Sequence, residues 1–281
     1  MAGLSTKDIK LRIRSMESTK QITRAMEMVA ASKLRRAQER ALTSRPYFET
    51  LYGTMCDIAA SQQDEPCVYF HAPQGNRVCY IVIAGDRGLA GGYNSNILKL
   101  VWSQMQEKEA CVLPIGKKAL EFFRLRKARI LTEQYADASE VTVGDCFSMA
   151  RMLARDFAAG EFDTIALGYT NFVSVLSQQP ATLQLLPLSP VKKTEGLEPL
   201  TLCEPDASTV LAAIIPEYLG GLVYGALCES VASEQAARRT AMDSATKNAE
   251  DMIADLSLQY NRARQGAITQ EITEIVAGSE H

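Results

Sequence analysis

Histidine is almost missing from this chain: there are only two, His71 and His281, far apart in the sequence. A Ser-His-Asp triad or a histidine-rich metal centre therefore has nothing to be built from. Seven cysteines are present (Cys56, Cys67, Cys79, Cys111, Cys146, Cys203, Cys228), but the number is odd and no two are spaced C-x-x-C. That pattern argues against a disulfide framework and against a zinc site, and leaves reduced, mostly buried thiols as the expectation. A phosphate-binding signature is lacking as well. Residues 85–94, Gly-Asp-Arg-Gly-Leu-Ala-Gly-Gly-Tyr-Asn, sit between a predicted strand and helix, where such a loop would lie. Their glycines are not spaced G-x-G-x-x-G and no Lys-Ser/Thr follows, so a tight structural turn is the better reading. Gly116-Lys117-Lys118 fails the same test, because Cys111 stands where the first P-loop glycine belongs. No cleavable signal or transit segment is expected before the first helix.

Long uncharged runs are scarce too. The main one, residues 210–228, carries the single charge Glu217 and is interrupted by Pro216, Gly220, Gly221 and Gly225. A carboxylate near the middle of a membrane span costs about 2.5–3.5 kcal/mol, so this stretch is expected to be a buried helix. Acidic residues are otherwise spread over helix surfaces. Nothing assembles into a catalytic constellation, and no catalytic residue, cofactor or metal is expected.

What the chain has in abundance is helical periodicity at its two ends. Alternating steps of four and three from Ile9 reach Ile13, Met16, Lys20, Thr23, Glu27, Ala30, Leu34, Ala37, Ala41, Ser44, Phe48, Leu51, Met55 and Ile58, and eleven of these fifteen positions are apolar. A seam of this length needs a partner helix. A second helical run over residues 216–276 supplies one, with alanines at 226, 232, 236, 237, 241, 245 and 249 permitting close approach, and Leu256, Tyr260, Ala263, Ala267 and Ile275 extending its apolar side. Asp206 is placed to cap the start of the return helix.

Between the ends, strands are predicted at residues 77–84, 110–115, 128–133, 164–170 and 182–186, and helices at 95–109, 117–126 and 144–159. Alternating strands and helices imply a mostly parallel sheet covered on both faces. The expected fold is thus α/β: a long antiparallel coiled coil of the N- and C-terminal helices plus a central Rossmann-like α/β domain. The expected divisions are residues 1–62, 63–205 and 206–281, with polar links at 61–76 and 187–205.

Two stretches break the seam. Lys20, Thr23 and Glu27 are polar just where Ile22, Met26 and Val29 offer an apolar stripe on another face. Either the register shifts locally, or this part of the helix meets a different partner, with Met26, Lys20, Arg24 and Lys33 exposed to it. Near the other end, Arg262, Arg264, Gln265, Thr269, Gln270 and Glu271 are too polar for a simple seam. Charge is also uneven. Residues 4–45 hold eleven Lys or Arg and four Asp or Glu, or +7, and the whole chain is −3. Such a basic helix suits nucleic acid, anionic lipid or an acidic protein surface.

These stretches carry a family likeness. Residues 22–33, Ile-Thr-Arg-Ala-Met-Glu-Met-Val-Ala-Ala-Ser-Lys, resemble the N-terminal helix of the gamma subunits of F-type ATP synthases, and residues 86–94 resemble that family's turn after the first strand. Residues 232–238, Ala-Ser-Glu-Gln-Ala-Ala-Arg, together with Ala263-Arg264-Gln265 and residues 268–276, Ile-Thr-Gln-Glu-Ile-Thr-Glu-Ile-Val, are similar to its C-terminal helix. The resemblance implies a central-stalk rotor subunit coupling proton or sodium passage to ATP synthesis and hydrolysis. Its implied partners are the alpha and beta subunits of the catalytic hexamer, the epsilon subunit and the ring of c subunits. Nucleic acid is not among them, and the place is the cytoplasmic face of a bacterial cell membrane, peripheral and without direct insertion. It also implies partner contacts at Lys20, Met26, Arg238, Gln265, Thr269 and Glu271, with nucleotide bound by other subunits. The tail, residues 277–281, departs from the family's usual Gly-Ala-Ala continuation. The link at 187–205 holds only Cys203, so the regulatory cysteine pair of chloroplast members is not expected. Two rival readings stand beside this one: an interaction scaffold that dimerises, and a nucleotide-dependent enzyme using the turn at residues 85–92.

Overall fold

In the computed structural model, residues 5–61, 68–70, 75–188, 204 and 206–279 are described. Eleven elements follow in order: α1 (Thr6–Ser61), a 3-10 turn (Val68–Phe70), β1 (Arg77–Ile83), α2 (Tyr93–Met105), β2 (Glu109–Ile115), α3 (Lys117–Leu125), β3 (Arg129–Ile130), α4 (Val143–Ala158), β4 (Thr164–Phe172), β5 (Gln178–Leu186) and α5 (Ala207–Ser279). The terminal helices are 56 and 73 residues long. The chain divides into two compact units, one comprising Met1–Ala31 with Arg238–His281 and the other Ser32–Ala237.

In the larger unit the strands lie in the order β3-β2-β1-β4-β5. The β1–β2, β1–β4 and β2–β3 pairs are parallel, and β5 closes one edge antiparallel to β4. Side chains alternate across a strand, and β1 shows what that does here. Cys79, Ile81 and Ile83 face one core with α4 and the start of α5, while Val78, Tyr80 and Val82 face a second core with α2 and α3. Both faces are covered, which is why β1 is an unbroken apolar run.

The uncharged stretch of α5 is long and apolar enough to cross a membrane by length and composition. Its Leu211, Ile215, Leu219, Val223 and Leu227 instead belong to the first core. The lone carboxylate, Glu217, accepts two bonds from the Arg151 guanidinium on α4, at 2.9 and 2.6 Å. Asp206 caps α5 as expected, accepting from Thr209 N at 2.7 Å.

At the far end of the α1 heptad, Met55 and Ile58 belong to the first core, together with Leu211, Ile215 and Leu219 of α5. Two expectations need correction. The β5 strand begins at Gln178 rather than 182; Pro180 is tolerated because β5 is an edge strand, with β4 as its sheet neighbour. On α5 the apolar side does not reach Ile275: every residue from Arg264 to Ile275 is exposed. Cys79, Cys111, Cys146 and Cys228 are buried free thiols, with Cys146 pushed up to about 12 by burial. Cys67 and Cys203, and most of the link at 187–205, lie outside the described residues, as does the Cys56 side chain.

Candidate bearing surfaces on the helix pair

The smaller unit is an antiparallel pairing of the start of α1 with the end of α5. Along α1 the inward positions are Ile9, Thr23 and Ala30, all buried, with Ile13, Met16, Lys20 and Glu27 half-buried. On α5 they are Met242, Thr246 and Ala249, followed by half-buried Ile253, Leu256, Tyr260 and Ala263. The register does not shift where the seam turns polar. Its polar residues find one another across the interface instead. Thr23 Oγ1 and Thr246 Oγ1 are 2.7 Å apart and buried. Lys20 Nζ lies 2.8 Å from Glu250 Oε1, and Arg239 Nε lies 3.8 Å from Glu27 Oε1. The Lys20 ammonium holds the Glu250 carboxyl below its ordinary range.

The apolar residues displaced from the seam stand outside. Ile22, Met28 and Val29 are 56%, 62% and 56% exposed, and Leu11 is exposed too. At roughly 100° per residue, Leu11, Ile22 and Val29 share one line about a third of a turn from the Thr23–Ala30 seam. Met26 falls between seam and stripe, and it is half-buried. Sites that present apolar surface to water in this way mark contact surfaces.

The end of α5 is a second such surface. Ile268, Ile272 and Ile275 are exposed at helical spacing. Gln265, Thr269 and Glu271 are exposed with them. Thr269 Oγ1 donates to Gln265 O at 2.9 Å, Thr273 Oγ1 donates to Thr269 O at 2.8 Å, and Gln270 Nε2 donates to Glu274 Oε1 at 3.0 Å. Of the six residues singled out from the sequence, Lys20 is drawn into the seam by Glu250, Met26 borders it, Arg238 is half-buried on α5, and Gln265, Thr269 and Glu271 are open. The isoleucines at 268 and 272 and Leu11 had not been singled out. Their helical spacing was legible, but only the end of the partner helix shows that nothing in the described chain covers them.

The glycine-rich turn after β1 is structural. Asp86 accepts from three backbone amides, Lys117 N at 3.1 Å, Ala138 N at 2.9 Å and Ser139 N at 3.1 Å, which joins the turn to α3 and the 137–139 loop. Asn94 Oδ1 accepts from Gly85 N at 2.8 Å. Strand order reverses between β1 and β4, the point where open α/β sheets usually bind ligands. Here α5 occupies it. A Cβ on Gly85 would lie 2.6 Å from Glu234 Oε1. Thr170 N donates to Ser230 Oγ at 3.1 Å and Ser233 Oγ donates to Thr170 O at 3.1 Å.

Comparison with known proteins agrees with this architecture. The family model described as ATP synthase matches residues 5–281. An "ATP synthase gamma chain" from Ruminococcus albus is 45% identical over 278 residues, covering 97% of each chain. The chain belongs to the ATP synthase gamma chain family. A gamma chain from Acetobacterium woodii, "sodium ion specific", is 40% identical over 296 residues and 98% of each chain. Among solved structures, a chain of the Euglena gracilis mitochondrial ATP synthase (OSCP/F1/c-ring) aligns with TM-score 0.69 at 19% identity, over 98% of this chain and 93% of that one. A chain of the Tetrahymena thermophila mitochondrial ATP synthase central stalk and c-ring aligns at 0.57 and 24%, over 80% and 99%. At those identities the likeness is one of fold, and the gamma-chain fold is the one described above.

Proposed function

We propose that this chain is the central-stalk rotor subunit of an F-type ATP synthase, carrying torque between the ion-driven c-ring and the catalytic alpha/beta hexamer. Membership of the gamma chain family supports the role. The observation that carries it is the inversion of polarity on α1, with hydroxyls and charges in the seam and Ile22, Met28 and Val29 outside it at the same level. A helix arranged in this way is built to be surrounded. The bearing surfaces we assign are Lys20 and Met26 on α1 and Arg238, Gln265, Thr269 and Glu271 on α5, facing loops of the hexamer. Polar contacts there can be broken and remade on each turn, whereas a wholly apolar socket would hold one orientation. Residues 1–62 and 206–281 form the shaft in this reading and residues 63–205 the foot, against the epsilon subunit and the c-ring, peripheral at the cytoplasmic face of the membrane. The chain itself does no chemistry; the switch point filled by α5 supports leaving nucleotide to the alpha and beta subunits.

Co-expression with cognate alpha and beta subunits tests this. The expected product is a hexamer with one copy of this chain that hydrolyses ATP. A stable homodimer of the chain that never joins the hexamer would sink the proposal and favour a dimerising scaffold.

A further inference from the structure

The α2 N-terminus opens onto a small cavity of about 80 Å³ beside the switch point, lined by Gly92, Tyr93 and Asn96 of α2, Thr170 of β4, Gln178 of β5 and Ala237 of α5, among others. Two independent features mark it. No side chain caps the helix at Gly92. Tyr93 N and Asn96 N bond back to Ala90 O and Gly92 O, and the first turn of α2 brings the positive pole of the helix dipole to the cavity. The second feature is Thr170. It is 2% exposed, and its Oγ1 has no hydrogen-bond partner among the described residues. Its backbone is fixed on both sides by Ser230 and Ser233, and the alternation of β4, in which Ala166 faces the α2 side, puts the Thr170 side chain on that same side. A buried hydroxyl left without a partner is costly, and this one lines the cavity at an uncapped helix pole.

We propose that this cavity binds a small oxyanion of the inorganic phosphate class. The donors suit it: the Thr170 hydroxyl and the Asn96 side-chain amide, both lining the cavity at the positive end of α2. No carboxylate lines the cavity among the described residues; Glu234 approaches the same loop at Gly85 and is not part of the lining. Size selects within the class. Nucleotide-sized ligands need pockets of roughly 300 Å³ or more, and α5 leaves room here for one tetrahedral oxyanion or a few waters. The bound anion joins α2, β4, β5 and α5, which is independent of whether the chain rotates.

Titration of the purified full-length chain with inorganic phosphate, by calorimetry in phosphate-free buffer, tests the site. One saturable site is expected, occupied by sulfate as well, with ADP unable to displace phosphate. Thr170→Val is expected to weaken binding at least tenfold while melting at or above the wild-type temperature without phosphate, since it removes the orphaned hydroxyl. Asn96→Asp places a fixed negative charge in the first turn of α2 and is expected to abolish binding with the fold intact. Absence of saturable binding to wild type overturns the proposal. So does unchanged affinity in both variants, or displacement by ADP.

Discussion

The buried pair of hydroxyls in the helix seam makes a quantitative test of how the two helices are held. Thr23 Oγ1 and Thr246 Oγ1 are in contact at 2.7 Å, and each also has a carbonyl of its own helix within reach: Lys20 O at 3.1 Å for Thr23 and Met242 O at 2.8 Å for Thr246. Thr23→Val removes the interhelical bond but strands nothing, because Thr246 still donates to Met242 O. The loss should therefore be that of one net hydrogen bond, about 1 kcal/mol, without the larger penalty of an orphaned group. The reverse substitution, Thr246→Val, is expected to cost the same. The double variant places two methyl groups in contact, at about 0.8 kcal/mol per buried carbon, so it should return to wild-type stability or exceed it by up to about 1 kcal/mol. The two sites then show a coupling of roughly 2–3 kcal/mol. Hydrogen exchange at amides of residues 16–30 and 239–253 reads it directly, since 1 kcal/mol is about fivefold in the opening equilibrium. Single variants that protect as well as wild type, or a double variant as weak as the sum of the singles, would refute the assignment of this contact as the polar tie between the helices.

Met26→Lys puts a cation between the seam and the exposed stripe, close in sequence to Lys20 and Arg24. Assembly and ATP hydrolysis are expected to survive while ions pumped per ATP fall, and an unchanged ratio counts against the placement of the bearing surface. Gly116 has φ 98°, and a Cβ there would sit 2.1 Å from Ala84 O. Gly116→Ala is accordingly expected to lose about 3–5 kcal/mol in urea unfolding, whereas Gly88→Ala, with nothing near its Cβ, should stay within about 0.5 kcal/mol; equal midpoints would rule out the contact. Acid should destabilise the larger unit in a defined window. Asp137 is held at about 2, chiefly by its bond to Lys117, and Asp163 is held low chiefly by Arg77. Since both folded values lie below the ordinary carboxylate value of about 3.9, the stabilisation is complete above that pH and is lost as pH falls toward 2. The melting temperature of Asp137→Asn should fall less steeply over that range, and a slope identical to wild type would contradict the linkage.

How much of this was legible in the residues depends on the range of the forces involved. Element types came through wherever a period was local: the apolar run of β1, the heptads of α1, the Asp206 cap. Strand order was not readable, because parallel pairing is set by cores that join residues far apart, as Cys111 on β2 and Ile165 on β4 both join Cys79. The front half of β5 was hidden by Gln178, Gln179 and Pro180, which suit an edge strand and look like a loop. The seam interruption at Lys20, Thr23 and Glu27 was visible, but its resolution was not. Choosing between a register shift and a polar seam requires knowing which residues of α5 lie opposite, more than 200 positions away. The heptad spacing of Arg239, Thr246 and Glu250 held that information once the two helices were aligned.

The polar seam and the outward stripe are one feature rather than two. Between Lys20 and Val29 the usual partition of an amphipathic helix is reversed: the pairing face holds a lysine, a threonine and a glutamate, and the open face holds an isoleucine, a methionine and a valine. Moving those apolar residues into the seam would give a more stable isolated pair, since buried hydroxyls and ion pairs contribute little net. The arrangement makes sense for a helix whose outer face is also covered, by neighbours that slide past it. The α5 end obeys the same logic with no pairing helix in the described chain. There Ile268, Ile272 and Ile275 stand open beside Gln265, Thr269 and Glu271, so apolar area and breakable hydrogen bonds face outward together.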